Sequence, residues 1–596
     1  FCKGFSVIFA ASASLPVGLE GPMIFIGLSI GEHVSHFMPR RFPGLRTYRA
    51  TRDFAAVGTA SGVSIAFYAP IGGVLFALEE GASFWSQILM WRCFAAGCVT
   101  LLVAYFWVAL EAQSLFEPMN FDGVAKFTGI HGHPAITSPR LFYLRDYFIF
   151  CLIGIAGGCA GALFNTMNKK LMIWRRKIIS NAPLKCAEVI VLTLVMSTLM
   201  WWLPDVYKRC STTPPIDIIL TEDAFVYRQY NCPDGEYNHL ATLFLNNLST
   251  VINLLFHSDS DAFTAGSCLI AGTVYFVMLL ILFGSSIGMG IFIPLLYIGA
   301  TYGRAFGIFI DDLYGQEGLV DNLVQTYAVV SATGMLGGVV QVLISLSVIM
   351  MQATALSYFV VAFMIVTIFA RVTARLLGSK GIYDAILDYK GLPFLEEMPP
   401  EFAQANSSLR ARDIMSPEPM VTLEPEIKVS ELLAALTDHF DLQFAVMSPL
   451  HDNALIGVIQ RVDILDLLKH RSIFYNLEEQ PRPKALLYDA LMKDRPDIPK
   501  MEQVQAILSE EDMSMYIDIS PYVQIAPYAV DGHESAERAY EMFRMTGLQS
   551  ILVLGPDYRP IGIIRRSDLV VLQECDEQEE QVNRRNQSVA LYASIS

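Results

Sequence analysis

Gly18-Leu19-Glu20-Gly21-Pro22, set in an apolar stretch, is matched 272 residues later by Gly290-Ile291-Phe292-Ile293-Pro294. The same offset carries Pro22 onto Pro294, Gly27 onto Gly299, Gly31 onto Gly303, Ala56 onto Ala328, Val57 onto Val329, Ala60 onto Ala332 and Gly62 onto Gly334, so the chain holds an internal repeat. In a membrane protein, two repeats that each open a helix with a glycine-broken start point to an ion or substrate site near mid-bilayer. The pattern predicts a transporter or a channel.

Composition narrows the class. The 596 residues are 53% hydrophobic and only 17% charged, with a mean hydropathy of +0.42, which is too apolar for a soluble enzyme of this length. Segments 87–110, 146–166, 187–203, 267–284, 326–350 and 356–371 each read as a candidate bilayer span. Other apolar runs are interrupted by Gly and Pro, a break tolerated at membrane depth only where the freed backbone lines a cavity or is covered by protein. A net charge of −16 and the absence of dense basic runs exclude nucleic acid as a partner class. Acidic runs such as Glu396-Glu397 and Asp576-Glu577-Gln578-Glu579-Glu580 read as solvated surface.

The ten cysteines show no metal-ligand spacing, and no metal site is expected. Cys93, Cys98, Cys151 and Cys159 fall in apolar helices, where buried thiols are common. Cys210 and Cys232 flank a polar loop, which suits a disulfide on a lumenal or extracellular side; two free thiols are the alternative. Asn247-Leu248-Ser249 nearby is a glycosylation tripeptide. Beginning at Phe1 directly in an apolar segment, the chain reads as one lacking its natural N-terminus.

Residues 1–391 read as the membrane part, with pseudo-repeats at roughly 1–110 and 265–390. A linker, 392–409, leads to a soluble α/β region. Its first unit, 410–470, predicts a helix start at Ala411 to Met415, a strand at Met420 to Leu423, a helix at Val429 to Leu436, strands at Phe444 to Met447 and Ile456 to Ile459, and a helix from Val462. After a connector, 471–516, residues 517–573 repeat that order, and 574–596 form a tail.

The two glycine-proline motifs, together with Gly72-Gly73-Val74-Leu75-Phe76-Ala77-Leu78-Glu79-Glu80-Gly81-Ala82-Ser83-Phe84-Trp85 and Cys232-Pro233-Asp234-Gly235-Glu236-Tyr237-Asn238, resemble the CLC chloride channels and chloride/proton antiporters. The last two stretches are most similar to the lysosomal and late-endosomal branch. The soluble region resembles the tandem CBS domains of such proteins. The resemblance implies an α-helical polytopic membrane protein with a CLC-type inverted-repeat domain of broken helices, followed by a cytosolic α/β CBS pair. It also implies a homodimer with one pathway per subunit, in a lysosomal, endosomal or vacuolar membrane, with an accessory membrane subunit as a candidate partner. The family's Gly-Ser-Gly-Ile-Pro stretch, whose serine contacts the central anion, would lie upstream of Phe1.

A carboxylate in mid-membrane costs about 2.5–3.5 kcal/mol on insertion scales. Gly18 and Gly21 let the backbone around Glu20 expose its N–H groups, and Pro22 suits the first turn of the helix that follows. Helix N-termini favour an anion by about 0.3–1 kcal/mol each, up to ~2 when partly buried, which roughly balances that penalty across two repeats. An anion so held is released readily. Deprotonated Glu20 would fill the anion position, and protonated Glu20 would leave it to chloride. The resemblance implies the same gating and proton-accepting role for Glu20, makes Glu80 the internal proton relay of an antiporter where channels commonly carry an apolar residue, and makes Tyr383 a hydroxyl contact to the central anion. Backbone N–H groups of Ile291 and Phe292 complete the expected anion site with Gly18, Gly21, Pro22 and Gly290. Glu79 is assigned a helix-end role.

Several residues depart from the family pattern. Leu19 replaces a Lys or Arg before the gating glutamate, Phe25 stands where near relatives have His, and Gln341 and Gln352 replace a frequent Arg and Glu. Gln352 lies 272 residues after Glu80, so the proton pathway is not duplicated in the second repeat. In the CBS pair Asp568 stands at the acid that contacts ribose, with Asp463 its counterpart. Asp441-Leu442-Gln443 replaces the stretch that holds adenine in some relatives. ATP or another adenine nucleotide is therefore a candidate ligand, a dimer-supporting module is the alternative, and transport itself requires no cofactor. The leading reading is proton-coupled chloride exchange; the alternatives are a passive gated chloride channel and an inactive partner subunit. The absence of catalytic clusters argues against an enzyme.

Overall fold

The computed structural model describes residues 2–13, 15–37, 48–82, 85–111, 142, 144–179, 181–212, 227–314, 323–354, 356–390, 409–416, 420–439, 441–448, 454–476, 483–486, 501–546, 548 and 550–571. The chain divides into two compact units, residues 1–35 with 50–389, and residues 36–49 with 390–596.

The first unit is helical. It runs α1 (Cys2–Ser12), α2 (Glu20–Phe37), α3 (Tyr48–Phe67), α4 (Pro70–Phe76), a π-helical turn (Ala77–Gly81), α5 (Gln87–Glu111), α6 (Leu144–Ile178) and α7 (Ala182–Val206). A two-stranded ribbon, β1 (Cys210–Thr212) with β2 (Glu236–Asn238), leads to α8 (His239–Phe244) and α9 (Leu248–His257). Then follow α10 (Ala265–Leu282), α11 (Phe292–Tyr314), α12 (Leu323–Val340), α13 (Ile344–Thr354), α14 (Val360–Leu376) and α15 (Ile382–Lys390). Among the described residues seven helices are long and apolar enough to cross a bilayer. Of these α12 is the most enclosed by protein and α7 the least. At ~1.5 Å per residue, α6 outruns the ~30 Å bilayer core, and its ends carry Asp146 at the start and Arg175, Arg176 and Lys177 at the finish, signs that match the helix dipole.

The repeat seen in sequence is also a repeat of packing. On α2, a Cβ at Gly27 would meet Gly58 O at 2.3 Å and one at Gly31 would meet Phe54 O at 2.1 Å, so α2 and α3 touch backbone to backbone. Their equivalents on α11 do the same against α12: a Cβ at Gly299 would meet the Ala332 Cα at 2.6 Å, and one at Gly303 the Tyr327 O at 2.3 Å. Small residues of this kind let membrane helices approach closely where lipid offers no hydrophobic drive between them.

One expected span is corrected. The apolar run 326–350 is two helices, α12 and α13, separated at 341–343. Gln341 takes a left-handed backbone (φ 65°), and its Nε2 donates to Ser379 O at 2.9 Å. The donors freed at the head of α13 are met by the Glu79 carboxylate, which accepts from Leu343 N–H at 2.8 Å, Ser345 N–H at 3.0 Å and Ser345 Oγ at 2.8 Å. Hydropathy registers an unbroken apolar run here because the partner that caps the break is 264 residues away in sequence.

The second unit contains two three-stranded sheets of one topology. In the first, β3 (Thr422–Leu423) runs parallel to β5 (Gln443–Ser448), which pairs antiparallel with β6 (Ala454–Gln460). In the other, β8 (Ala529–Asp531) runs parallel to β9 (Ser550–Leu554), antiparallel to β10 (Pro560–Arg565). Helices 429–438, 461–467, 536–546 and 566–571 cover them. Ala445, Val458, Leu552 and Ile563 form an apolar cluster shared by both sheets. The cores divide the chain differently from its order. Ala411 and Ile414 pack with Val530, Tyr540 and Phe543 of the second fold, whereas Ile517, Ile519 and Val523 pack with Leu432, Phe444 and Ile464 of the first. β4 (Glu426–Lys428) pairs antiparallel with β7 (Tyr516–Asp518) to close that exchange.

Candidate functional site

The two motifs meet. Gly18 N–H donates to Gly290 O at 2.9 Å and Gly290 N–H to Gly18 O at 2.8 Å, a reciprocal antiparallel bridge across the repeats. It places the N-terminus of α2, at Glu20, beside that of α11, at Phe292. The first N–H groups of a helix have no acceptor within it, so two sets of unsatisfied donors and two positive dipole ends converge on one point.

The Glu20 side chain occupies that point. It is 1% exposed, and neither carboxylate oxygen has a hydrogen-bond partner among the described residues. The backbone N–H groups of Glu20 and Ile293 face it without reaching full hydrogen-bond geometry. Its room comes from glycine: a Cβ at Gly18 would lie 2.0 Å from Glu20 Oε2, and one at Gly290 2.7 Å from the same atom. Gly21 is tight as well, with the Gly290 Cα 3.0 Å from where its Cβ would stand. Pro22, in the first turn of α2, is buried. An anion lodged between two helix N-termini, held by orientation more than by bonds, is what an exchangeable anion site requires.

An aromatic wall closes the site from within. Phe292, 2% exposed, packs against Phe67 with centroids 5.3 Å apart and against Phe76 at 6.0 Å, and Phe76 meets the Tyr383 ring edge-on at 6.5 Å. Ile291 is buried beside it. Tyr383, in the first turn of α15, lies within electrostatic reach of both Glu20 and Glu80.

Glu80 sits in the π-helical turn that ends α4. Such one-turn expansions often mark functional positions, because they rotate one side chain out of register with the helix. Asp384, Glu79 and Arg371 are in electrostatic reach of it. Glu79 caps α13 as described above, and its Oε1 lies 3.9 Å from an Arg371 terminal nitrogen. A reciprocal contact joins the other ends of the two short helices: Gly72 N–H in α4 donates to Gln352 Oε1 in α13 at 2.9 Å. Leu19 and Phe25 are both exposed.

Cys210 and Cys232 are bonded, with Cα atoms 6.0 Å apart, and tie the β1–β2 ribbon. Asn247 caps α9, its side chain accepting from Ser249 N–H. In the second unit Asp568 is 5% exposed and its Oδ2 accepts from Arg565 N–H at 2.9 Å; the Arg565 guanidinium meets Asp441 Oδ1 at 2.8 and 2.7 Å. Among the described residues no group of three or more His, Cys, Asp or Glu side chains could hold a metal.

Sequence reasoning missed Arg371 and the part played by Asp384. The signal was present: Arg371 is a charge at the end of the apolar segment 356–371, and an ionisable group in such a segment is a functional candidate by default.

A family model described as voltage gated chloride channel matches residues 1–375, and a CBS domain model matches 411–470. The chain is 31% identical over 582 residues to the mouse protein named H(+)/Cl(-) exchange transporter 7, covering 94% of this chain and 69% of that one, and the human counterpart gives the same figures. Chloride channel protein A of Dictyostelium discoideum is 29% identical over 95% of this chain and 74% of its own length. Among solved structures, a eukaryotic CLC transporter superposes with a TM-score of 0.58 at 19% identity, over 93% of this chain and 77% of that one, and shows the fold to be shared.

Proposed function

The chain belongs to the voltage gated chloride channel family, and we propose that within it the protein exchanges chloride for protons across a membrane, with Glu20 as gate and Glu80 as internal proton relay. The observation that carries this reading is the Glu20 carboxylate lodged at the meeting of two helix N-termini, with Tyr383 in reach of it and of Glu80.

The geometry supports the following proposed cycle. As an anion, Glu20 fills the position between Gly18 and Gly290 and excludes chloride. Protonation removes the charge that holds it between the positive helix ends, the side chain swings out, and chloride takes its place against the N–H groups of Ile291 and Phe292. The proton leaves Glu20 for Glu80, and from there reaches the cytosolic side. A carboxylate at position 80 is what separates this exchanger from a passive channel, in which the gate would need proton access from one side alone.

The protein is a multi-pass membrane protein with a CBS domain. We assign it to a lysosomal, endosomal or vacuolar membrane, with the Cys210–Cys232 ribbon lumenal, since disulfides persist in oxidising compartments. A homodimer and an accessory membrane subunit complete the proposed assembly. For the CBS pair we propose adenine-nucleotide sensing at Asp568, where a nucleotide competes with the Asp441–Arg565 pair for the guanidinium beside it. A thermal shift with ATP that grows in Asp441→Ala supports this, and no shift in either protein refutes it.

The exchange reading is tested in liposomes with an imposed chloride gradient and no proton gradient. Proton movement opposite to chloride, against its own electrochemical potential, is the expected result; chloride flux with no proton movement makes the protein a channel.

A further inference from the structure

Glu80 sits among like charges. Glu79 is its neighbour in the π-helical turn and Asp384 reaches it from α15, while Arg371, on α14, is a cation in reach of all three carboxylates. Arg371 is tied to the turn through Glu79 Oε1 at 3.9 Å, and Glu79 is itself fixed by three hydrogen bonds to Leu343 and Ser345 at the head of α13. The Arg371 and Glu79 side chains keep 25% and 20% of their surface exposed, so the cluster is not sealed in the core.

We infer that Arg371, anchored by Glu79, is a positioning residue for the proton relay: it offsets the charge of Glu79 and Asp384 so that Glu80 can release a proton as well as take one up. The inference rests on the exchange reading above. A relay carboxylate facing two other carboxylates and no cation would hold its proton through the cycle, since each like charge at close range favours the neutral form and an opposite charge at ~4–6 Å shifts the balance back by about one to three pH units. The charged groups in reach of Arg371 are Arg375, Glu79, Glu80 and Asp384, so on this inference its charge acts on proton transfer more than on anion passage. Arg375, one turn further along α14, borders Arg371 and provides a control of the same type.

The test measures chloride and proton fluxes separately in liposomes holding the full-length protein, as wild type, Arg371→Gln, Arg371→Lys and Arg375→Gln. The expected result for Arg371→Gln is a fall of about tenfold in protons moved per chloride, with chloride flux within about twofold of wild type. The cytosolic pH of half-maximal proton uptake should move up by about one unit. Arg371→Lys should restore the ratio and Arg375→Gln should leave it unchanged. Wild-type coupling in Arg371→Gln overturns the inference while leaving the exchange reading intact. Absence of proton movement in wild type defeats the exchange reading itself. If Arg371→Gln loses both fluxes, Arg371→Lys decides: wild-type chloride flux with a wild-type ratio supports the charge role, and any other result overturns it.

Discussion

The two repeats share a scaffold and differ in what they attach to it. Glu20 in the first corresponds to Phe292 in the second at the offset of 272, and Glu80 corresponds to Gln352, while Gly18, Pro22, Gly27 and Gly31 correspond to residues of identical type. Both repeats therefore contribute a helix N-terminus to the point that Glu20 occupies, and in the proposed cycle only the first contributes groups that carry protons. The contacts between α4 and α13 show the same division. Glu79 caps α13 with a carboxylate and sits beside Glu80, whereas Gln352 accepts from Gly72 N–H as a neutral amide. In the proposed cycle, repetition builds the anion site and departure from repetition couples it to protons.

The largest break of that comparison comes from Glu20→Ala. Proton movement should vanish, with chloride flux retained, because the remaining donors and dipoles still bind the anion; paired flux measurements check both halves. Next in size is the helix packing. Gly31→Ala and Gly303→Ala each force a methyl onto a backbone carbonyl, at 2.1 and 2.3 Å, and each should cost about 1–3 kcal/mol, read as lowered thermal stability in detergent. Similar costs at the two sites would confirm that the scaffold is shared. A somewhat smaller loss, about 1–2 kcal/mol, is expected from Asp441→Ala, which leaves the half-buried Arg565 guanidinium without its carboxylate. The smallest effect is predicted for Gln352→Glu. The amide oxygen that receives Gly72 N–H is retained as a carboxylate oxygen, and the proton-to-chloride ratio should stay at the wild-type value; a second proton path would show as a raised ratio.

Much of this was legible in the sequence, for a physical reason. Glycines and prolines at a fixed offset report backbone requirements directly, so the broken helix starts were legible from residue type, whereas the Gly18–Gly290 bridge that joins them is seen only in the structure. The strands at 443–448, 454–460, 550–554 and 560–565 likewise follow local apolar runs. What stayed hidden depends on partners distant in the chain. The left-handed turn at Gln341 is stabilised by Ser379 and by Glu79, neither of which marks the apolar run that contains it. The exchange of 411–414 and 517–523 between the two soluble cores leaves the order of elements unchanged and so leaves no trace in periodicity. The Arg371 cluster joins α14, α15 and the π-helical turn, three segments whose charges each read as isolated.

The central claim, that the proton route belongs to the first repeat alone, is tested most directly by chloride-driven proton pumping in liposomes with wild type and Glu80→Ala. The account predicts uphill proton movement in wild type and none in Glu80→Ala, with chloride still passing. Proton pumping that survives in Glu80→Ala would contradict it.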